Sequence, residues 1–235
     1  MTGQVALVGS GEYLEVMLEV ERGLLHGQPP VYVQVPTAAA PEGAASLDRW
    51  VALGRAQADR LGVAARPIVV RDRAEADDPD LVALVAGAGL IYLSGGSPPF
   101  LADALRGSAL WAAIEQAWRG GATLAGCSAG AIALTSWVPD LRRPLNPARE
   151  GLGVVPHLRV IPHFDRFLGW LPDLVGRYLL KTPEGTEVVG VDEDTALVWR
   201  GDHWQVQGRQ AVWLLRREGR TAYTDGQVID LPPPV

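Results

Sequence analysis

Five short apolar runs punctuate the first half of this chain: Val5–Val8, Val31–Val35, Pro67–Val70, Leu90–Leu93 and Thr123–Ala125. Each is bounded by Gly, Pro or charge, and each is long enough for a strand buried on both faces. Amphipathic segments at roughly 14–25, 45–61, 79–86 and 109–119 separate them and read as helices. Strand–helix alternation of this kind predicts an α/β fold, a doubly wound, mostly parallel sheet with helices on both faces. Ligand sites in such sheets gather beyond the carboxyl ends of the strands. Four segments follow strands at those ends: Gly9-Ser10-Gly11-Glu12, Pro36-Thr37, Ser94-Gly95-Gly96-Ser97 and Gly126-Cys127-Ser128.

The pattern changes after residue 137. A Pro- and Arg-rich stretch, 139–147, reads as a surface connection. From Glu187 onward the chain reads as an antiparallel β extension: Glu187–Val191, Ala196–Trp199, Trp204–Val206 and Ala211–Leu215, with turns at 200–202 and 225–226. The closing Pro232-Pro233-Pro234 reads as a frayed tail. No compositional break separates a second unit, so the 235 residues are expected to form one domain.

Composition narrows the partners. A net charge of −6 leaves no surplus of Lys and Arg to track phosphates, which argues against nucleic acid. No run of 18 apolar residues occurs, and the first residues lack a signal-peptide pattern, so no membrane partner is expected. A single cysteine forms no internal disulfide and fits a reducing cytoplasm.

The segment Leu124–Leu134, L-A-G-C-S-A-G-A-I-A-L, sets two nucleophile types side by side. Gly126-Cys127-Ser128-Ala129-Gly130 matches the G-x-S-x-G nucleophile elbow, between a short apolar strand and a small-residue helix. The two glycines are symmetric about Ser128. Centring on Cys127 would put Ala125 and Ala129 in the tight positions, so Ser128 is the favoured nucleophile and Cys127 reads as packing. A steric strand-to-helix turn without chemistry would use the same small residues, and the strand and helix flanks are what favour catalysis.

A serine needs a base. Of four histidines, His26 and His203 sit in polar surface contexts, and His157 precedes the apolar Val160-Ile161. His163 follows that run, at the carboxyl end where site residues gather. The orienting acid stays open among Asp192, Glu193 and Asp194 after Val188–Val191, with Asp140 and Glu150 as rivals; Asp192 and Asp194 read as solvated turn acids. Oxyanion donors are expected from the Ala129 N–H and from Gly95-Gly96.

Taken in order, S-G-G-S-P-P-F-L, G-C-S-A-G-A, P-H-F-D-R and G-V-D-E-D-T-A resemble the dipeptidase E and cyanophycinase family of serine peptidases, from Val5 to about Leu215. The resemblance implies a class I glutamine amidotransferase-like fold and a Ser-His-Glu triad. It assigns Ser128 as nucleophile, His163 as general base and acid, and Glu193 as orienting acid, with Gly96 and Ala129 forming the oxyanion hole. Gly95, Ser97 and Arg166 would contact substrate, Arg166 by binding a carboxylate or by pairing with a surface acid. No cofactor and no metal are implied. The expected partner is a small peptide or amide, with a homodimer compatible with the family. Ser97-Pro98 stands where dipeptidase E has Asn and Thr, and the arginine cluster of cyanophycinase is absent. Two alternatives follow: a homologue that binds small peptides without cleaving them, and a Cys127-dependent thiol hydrolase or amidotransferase.

Overall fold

The computed structural model describes residues 2–140, 146–167 and 182–235. In chain order the strands and α-helices are β1 (Val5–Val8), α1 (Leu18–Leu25), β2 (Val31–Val35), α2 (Ala44–Leu61), β3 (Ala64–Pro67), α3 (Pro79–Ala83), β4 (Leu90–Leu93), α4 (Pro98–Leu105), α5 (Ala109–Arg119), β5 (Thr123–Cys127), α6 (Ala129–Ala133), β6 (Trp137–Val138), β7 (Arg149–Glu150), β8 (Leu158–Pro162), α7 (Phe164–Phe167), β9 (Glu187–Val191), β10 (Thr195–Trp199), β11 (Trp204–Gly208), β12 (Ala211–Arg216), β13 (Gly219–Thr224) and β14 (Val228–Ile229).

The main sheet has eight strands in the order β14-β11-β10-β1-β5-β4-β2-β3. Its β1-β5-β4-β2-β3 half is parallel, and β10, β11 and β14 add antiparallel strands beside β1. Both faces are covered, which is why the strands lack polar alternation. Val5 and Leu7 of β1 point into a core shared with α4, α5 and α6, while Ala6 and Val8 point into one closed by α1 and α2.

Two sequence expectations shift. The third strand is Ala64–Pro67 rather than 67–70, because pairing with β2 begins at Val31 opposite Ala64; Ile68 and Val70 are buried just past the strand end. The helix α4 escapes a periodicity search because it is apolar nearly all round, with Pro98, Leu101, Ala102, Ala104 and Leu105 buried.

The C-terminal β-structure divides between two sheets. Strands β13-β12-β9-β8 form a second sheet, antiparallel except for a parallel β8–β9 pair. Consecutive strands β9 and β10 therefore belong to different sheets, and residues 192–194 carry the chain between them. The second sheet packs Val160, Val189, Val191, Val212 and Leu214 into the same core as α4–α6. The C-terminal segment is docked rather than frayed. Leu231 is buried, the Pro232 carbonyl accepts the Trp204 indole N–H at 2.9 Å, and the Val235 N–H reaches the Val154 carbonyl at 3.0 Å. Among the described residues no helix is long and apolar enough to cross a membrane.

One buried acid gives this core a pH dependence. Glu21 of α1 is 1% exposed, accepts from the Tyr32 hydroxyl at 3.3 Å, and leaves Oε1 without a partner among the described residues. Burial raises its pKa from 4.5 to about 7, against smaller opposing effects of Gln57, Tyr32, the Tyr13 backbone and Arg60. The folded state thus holds a proton that the unfolded chain releases. This contribution to stability is complete below the unfolded pKa and is lost as pH rises through the folded one, about 3 kcal/mol in all. Urea unfolding at pH 5 and pH 8 should show the loss in the natural chain. Glu21→Gln should flatten it, and at pH 8 should unfold at higher urea than the natural chain.

Candidate active site

The carboxyl end of β5 turns into α6 with almost no clearance. A Cβ on Gly126 would lie 2.5 Å from the Gly130 carbonyl carbon, and one on Gly130 would lie 2.3 Å from the Leu93 carbonyl oxygen. Only glycines let helix and sheet approach this closely. The residue between them pays in backbone strain: Ser128 has φ 50° and ψ −105°, outside the regions L-residues favour. Its N–H bonds to the Val8 carbonyl at 2.9 Å, and its carbonyl accepts from Ile132 at 3.1 Å. Ser128 is thereby held partly exposed above the sheet, while Cys127 points down, fully buried among Ala6, Val8 and Tyr92.

Parallel pairing of β8 and β9 supplies the next two side chains. Pro162 stands opposite Val191, so the residues that follow each strand emerge side by side. His163 leaves β8 at φ 140°, anchored by buried Phe164, whose ring lies where a Cβ on Gly190 would fall. Its Nε2 is 2.6 Å from Ser128 Oγ, and its Nδ1 is 3.3 Å from Glu193 Oε1. The pattern assigns the Nδ1–H tautomer, donating to Glu193 and leaving Nε2 to accept the serine proton.

Glu193 lies in the crossing between sheets, and its neighbours pin that turn. Its N–H donates to Asp165 Oδ1 at 3.0 Å, and its carbonyl accepts from Gln210 Nε2 at 3.0 Å. Asp194 follows at φ 54°. Asp192 is no solvated acid: it is buried and accepts from the Ala211 N–H and the Trp213 indole, and burial pushes its pKa up. The rival acids lie elsewhere. Glu150 pairs with Arg106 at 2.8 Å, and Asp140 accepts from Asn146. His26 and His157 are not brought to Ser128, and His203 bonds Asp202.

A strap after β4 borders the serine. The Gly96 N–H and the Ala129 N–H make no hydrogen bond among the described residues, and Gly96 is exposed. Gly96 adopts φ 137°, and a Cβ there would lie 2.3 Å from the Ala38 carbonyl oxygen. Gly95 sits against the Ser128 side chain, but Glu12 occupies its N–H, which is therefore closed to a ligand. Ser97 immediately precedes α4 and donates its N–H to the Ala38 carbonyl. Arg166 is 74% exposed and pairs through Nε with Glu193 Oε2 at 3.2 Å. Among the described residues no three His, Cys, Asp or Glu side chains converge as a metal-ion cluster.

Glu12 was not singled out from the sequence. It is buried, accepting the Gly95 N–H on Oε1 at 2.9 Å and the Cys127 thiol on Oε2 at 2.8 Å. Its signal was its place: an acid directly after the Gly-rich end of the first strand. Burial, and then the Glu12 charge, push the Cys127 pKa well above that of an ordinary thiol. The thiol stays protonated and is not the reactive form of a cysteine nucleophile.

A strained serine at a strand-to-helix elbow, bonded to a histidine that faces a carboxylate, has the geometry of a nucleophile elbow on an α/β sheet. The chain belongs to Peptidase family S51, whose family model matches residues 5–207. A cyanophycinase from Synechococcus elongatus is 28% identical over 194 residues, covering 72% of this chain and 54% of the cyanophycinase. A second, from Geminocystis herdmanii (strain PCC 6308), is 29% identical over 170 residues, covering 68% and 61% respectively. The chain thus spans little more than half the length of these curated relatives. The crystal structure of a peptidase from an acI-B1 Actinobacterium superposes with a TM-score of 0.90 at 44% identity, covering 98% of each chain. A putative Peptidase E protein from Listeria monocytogenes EGD-e shares the fold at 16% identity and TM-score 0.66, over 89% of this chain and all of that one.

The clearances at Gly96 make a direct prediction. Gly96→Ala places a Cβ against the Ala38 carbonyl at a disfavoured φ, which should cost about 1–3 kcal/mol of stability. A lowered urea midpoint, with amide resonance changes concentrated at residues 37–39 and 94–97, is the expected result.

Proposed function

We propose that this chain is a serine peptidase that cleaves a small peptide or amide through an acyl-enzyme on Ser128. The observation that carries it is the 2.6 Å contact between His163 Nε2 and the Oγ of a serine held at φ 50°. In this reading Ser128 Oγ attacks the substrate carbonyl carbon, and its proton passes to His163 Nε2. Glu193 stabilises the resulting imidazolium through Nδ1–H and holds the ring in register. The N–H groups of Gly96 and Ala129, both free of other partners among the described residues, receive the developing oxyanion. Collapse returns the electron pair to the carbonyl and breaks the C–N bond, and the leaving nitrogen takes the proton from His163. Water then attacks the ester carbonyl carbon, giving a proton to His163; collapse breaks the C–Oγ bond, and Ser128 Oγ takes that proton back as the acid product departs.

Arg166 serves the acid in this scheme, since its Nε pairs with Glu193 Oε2 at 3.2 Å. Ser97, at the mouth of the strap, remains a candidate contact for substrate. Family membership and the 44% identical peptidase support hydrolysis of a peptide bond. The cyanophycinase relatives make cyanophycin and its fragments the first substrates to test. The lone, buried, protonated cysteine supports a reducing, cytoplasmic setting.

A fluorophosphonate probe should label the natural chain on Ser128, and Ser128→Ala should abolish labelling; persistent labelling of that variant would remove the serine from this role. His163→Ala should slow turnover of a cleavable dipeptide by about 10⁴-fold or more, and Glu193→Ala by less. A dipeptide library containing N-terminal Asp and isoaspartyl members reads out the substrate.

A further inference from the structure

We propose that Glu12 is a positioning residue for the oxyanion site, clamping the strap after β4 to the strand that carries the nucleophile. This rests on the serine-peptidase reading of Ser128. The two candidate oxyanion donors come from different loops, Gly96 from the strap and Ala129 from the elbow. Among the described residues no hydrogen bond joins 95–97 directly to 127–129. The Glu12 carboxylate bridges that gap: Oε1 takes the Gly95 N–H at 2.9 Å, one residue before one donor. Oε2 takes the Cys127 thiol at 2.8 Å, two residues before the other.

Several features of the chain serve this bridge. A Cβ on Gly95 would lie 2.6 Å from Glu12 Oε1, so glycine is what lets the carboxylate reach that N–H. Tyr13 adopts φ 63°, and its hydroxyl bonds Ser94 Oγ at 2.5 Å, so residues 12 and 13 grip two successive strap residues. Glu12 is 8% exposed with each carboxylate oxygen engaged, so it acts on geometry rather than on substrate. Both partners are donors, and a carboxylate accepts on each oxygen, whereas a glutamine amide offers one acceptor and one donor group.

That difference gives a test with a built-in rescue. In Glu12→Gln one arm of the clamp is weakened: the amide NH2 either opposes the Gly95 N–H, donor against donor, or meets the Cys127 sulfur, a weak acceptor whose S–H must turn away. In the double variant Glu12→Gln/Cys127→Ala the thiol donor is gone, and the amide oxygen can return to the Gly95 N–H. The fluorophosphonate labelling rate reads the oxyanion site, because Ser128 Oγ bonds to phosphorus as fluoride leaves and charge builds on the phosphoryl oxygen. The Gly95 amide proton shift reads the clamp without chemistry.

Glu12→Gln should label about tenfold more slowly, since a displaced oxyanion donor loses part of what a deleted one loses. Its Gly95 amide proton should move upfield, and the double variant should recover most of both. Labelling of Glu12→Gln at the natural rate, or a double variant as slow as the single one, overturns the proposal. If Glu12→Gln does not fold, a double variant that folds and labels near the natural rate supports the proposal, and one that labels slowly overturns it. If the natural chain does not label at Ser128, the serine-peptidase reading fails. The clamp then stands or falls on the Gly95 shift, with an unmoved resonance overturning it.

Discussion

The architecture of this site depends on the contact between the first turn of α6 and the end of β5. With a Gly126 Cβ excluded by Gly130, and a Gly130 Cβ excluded by the Leu93 carbonyl, the helix lies directly on the sheet. The chain can turn from strand to helix in so small a space only by placing Ser128 at φ 50°. Such a conformation costs roughly 1–3 kcal/mol and persists because its surroundings leave no alternative. The same turn buries Cys127 and leaves Ser128 at the surface, so steric exclusion has already separated the two adjacent side chains.

Strain is not confined to the elbow. The four non-glycine residues at positive φ among those described are Tyr13, Ser128, His163 and Asp194. Each borders the site: Tyr13 holds the strap through Ser94, His163 meets Ser128, and Asp194 follows Glu193. Ser128, His163 and Asp194 stand directly beside strand ends, where the regular ladder stops and side chains must be aimed, and Tyr13 lies in the loop after β1. The burial of Val5–Val8, Leu90–Leu93 and Thr123–Cys127 supplies the rigid framework that offsets this strain.

The polar arrangement is layered in the same way. Ser128, His163 and Glu193 form a line of contacts at the surface, and beneath them Glu12 ties strap to elbow. Around Glu193, Asp165 and Gln210 fix the turn, while Asp192 is turned inward to Trp213. Three consecutive acids in the crossing thus have three environments. Asp192 accepts from the Trp213 indole of the second sheet, Glu193 faces His163, and Asp194 pairs with Arg209 at 3.8 Å.

Much of the parallel half was legible in the sequence, because buried strands and amphipathic helices carry their environment in their own residues. Ser128 was legible for a local reason: the glycines that permit its turn are two residues away on either side. His163 followed from a weaker local cue, its place after an apolar run. The second sheet's parallel β8–β9 pair, the crossing at 192–194 and the docked C-terminal segment were not legible, since each depends on partners far away in the chain. Glu12 is the clearest case, bonded to Gly95 and Cys127 across 83 and 115 positions. The sequence by itself determined the alternating fold and the strained serine, through burial patterns and local sterics. Only the tertiary structure decided which acid faces His163 and what holds the strap, because those contacts arise where separate strands end together.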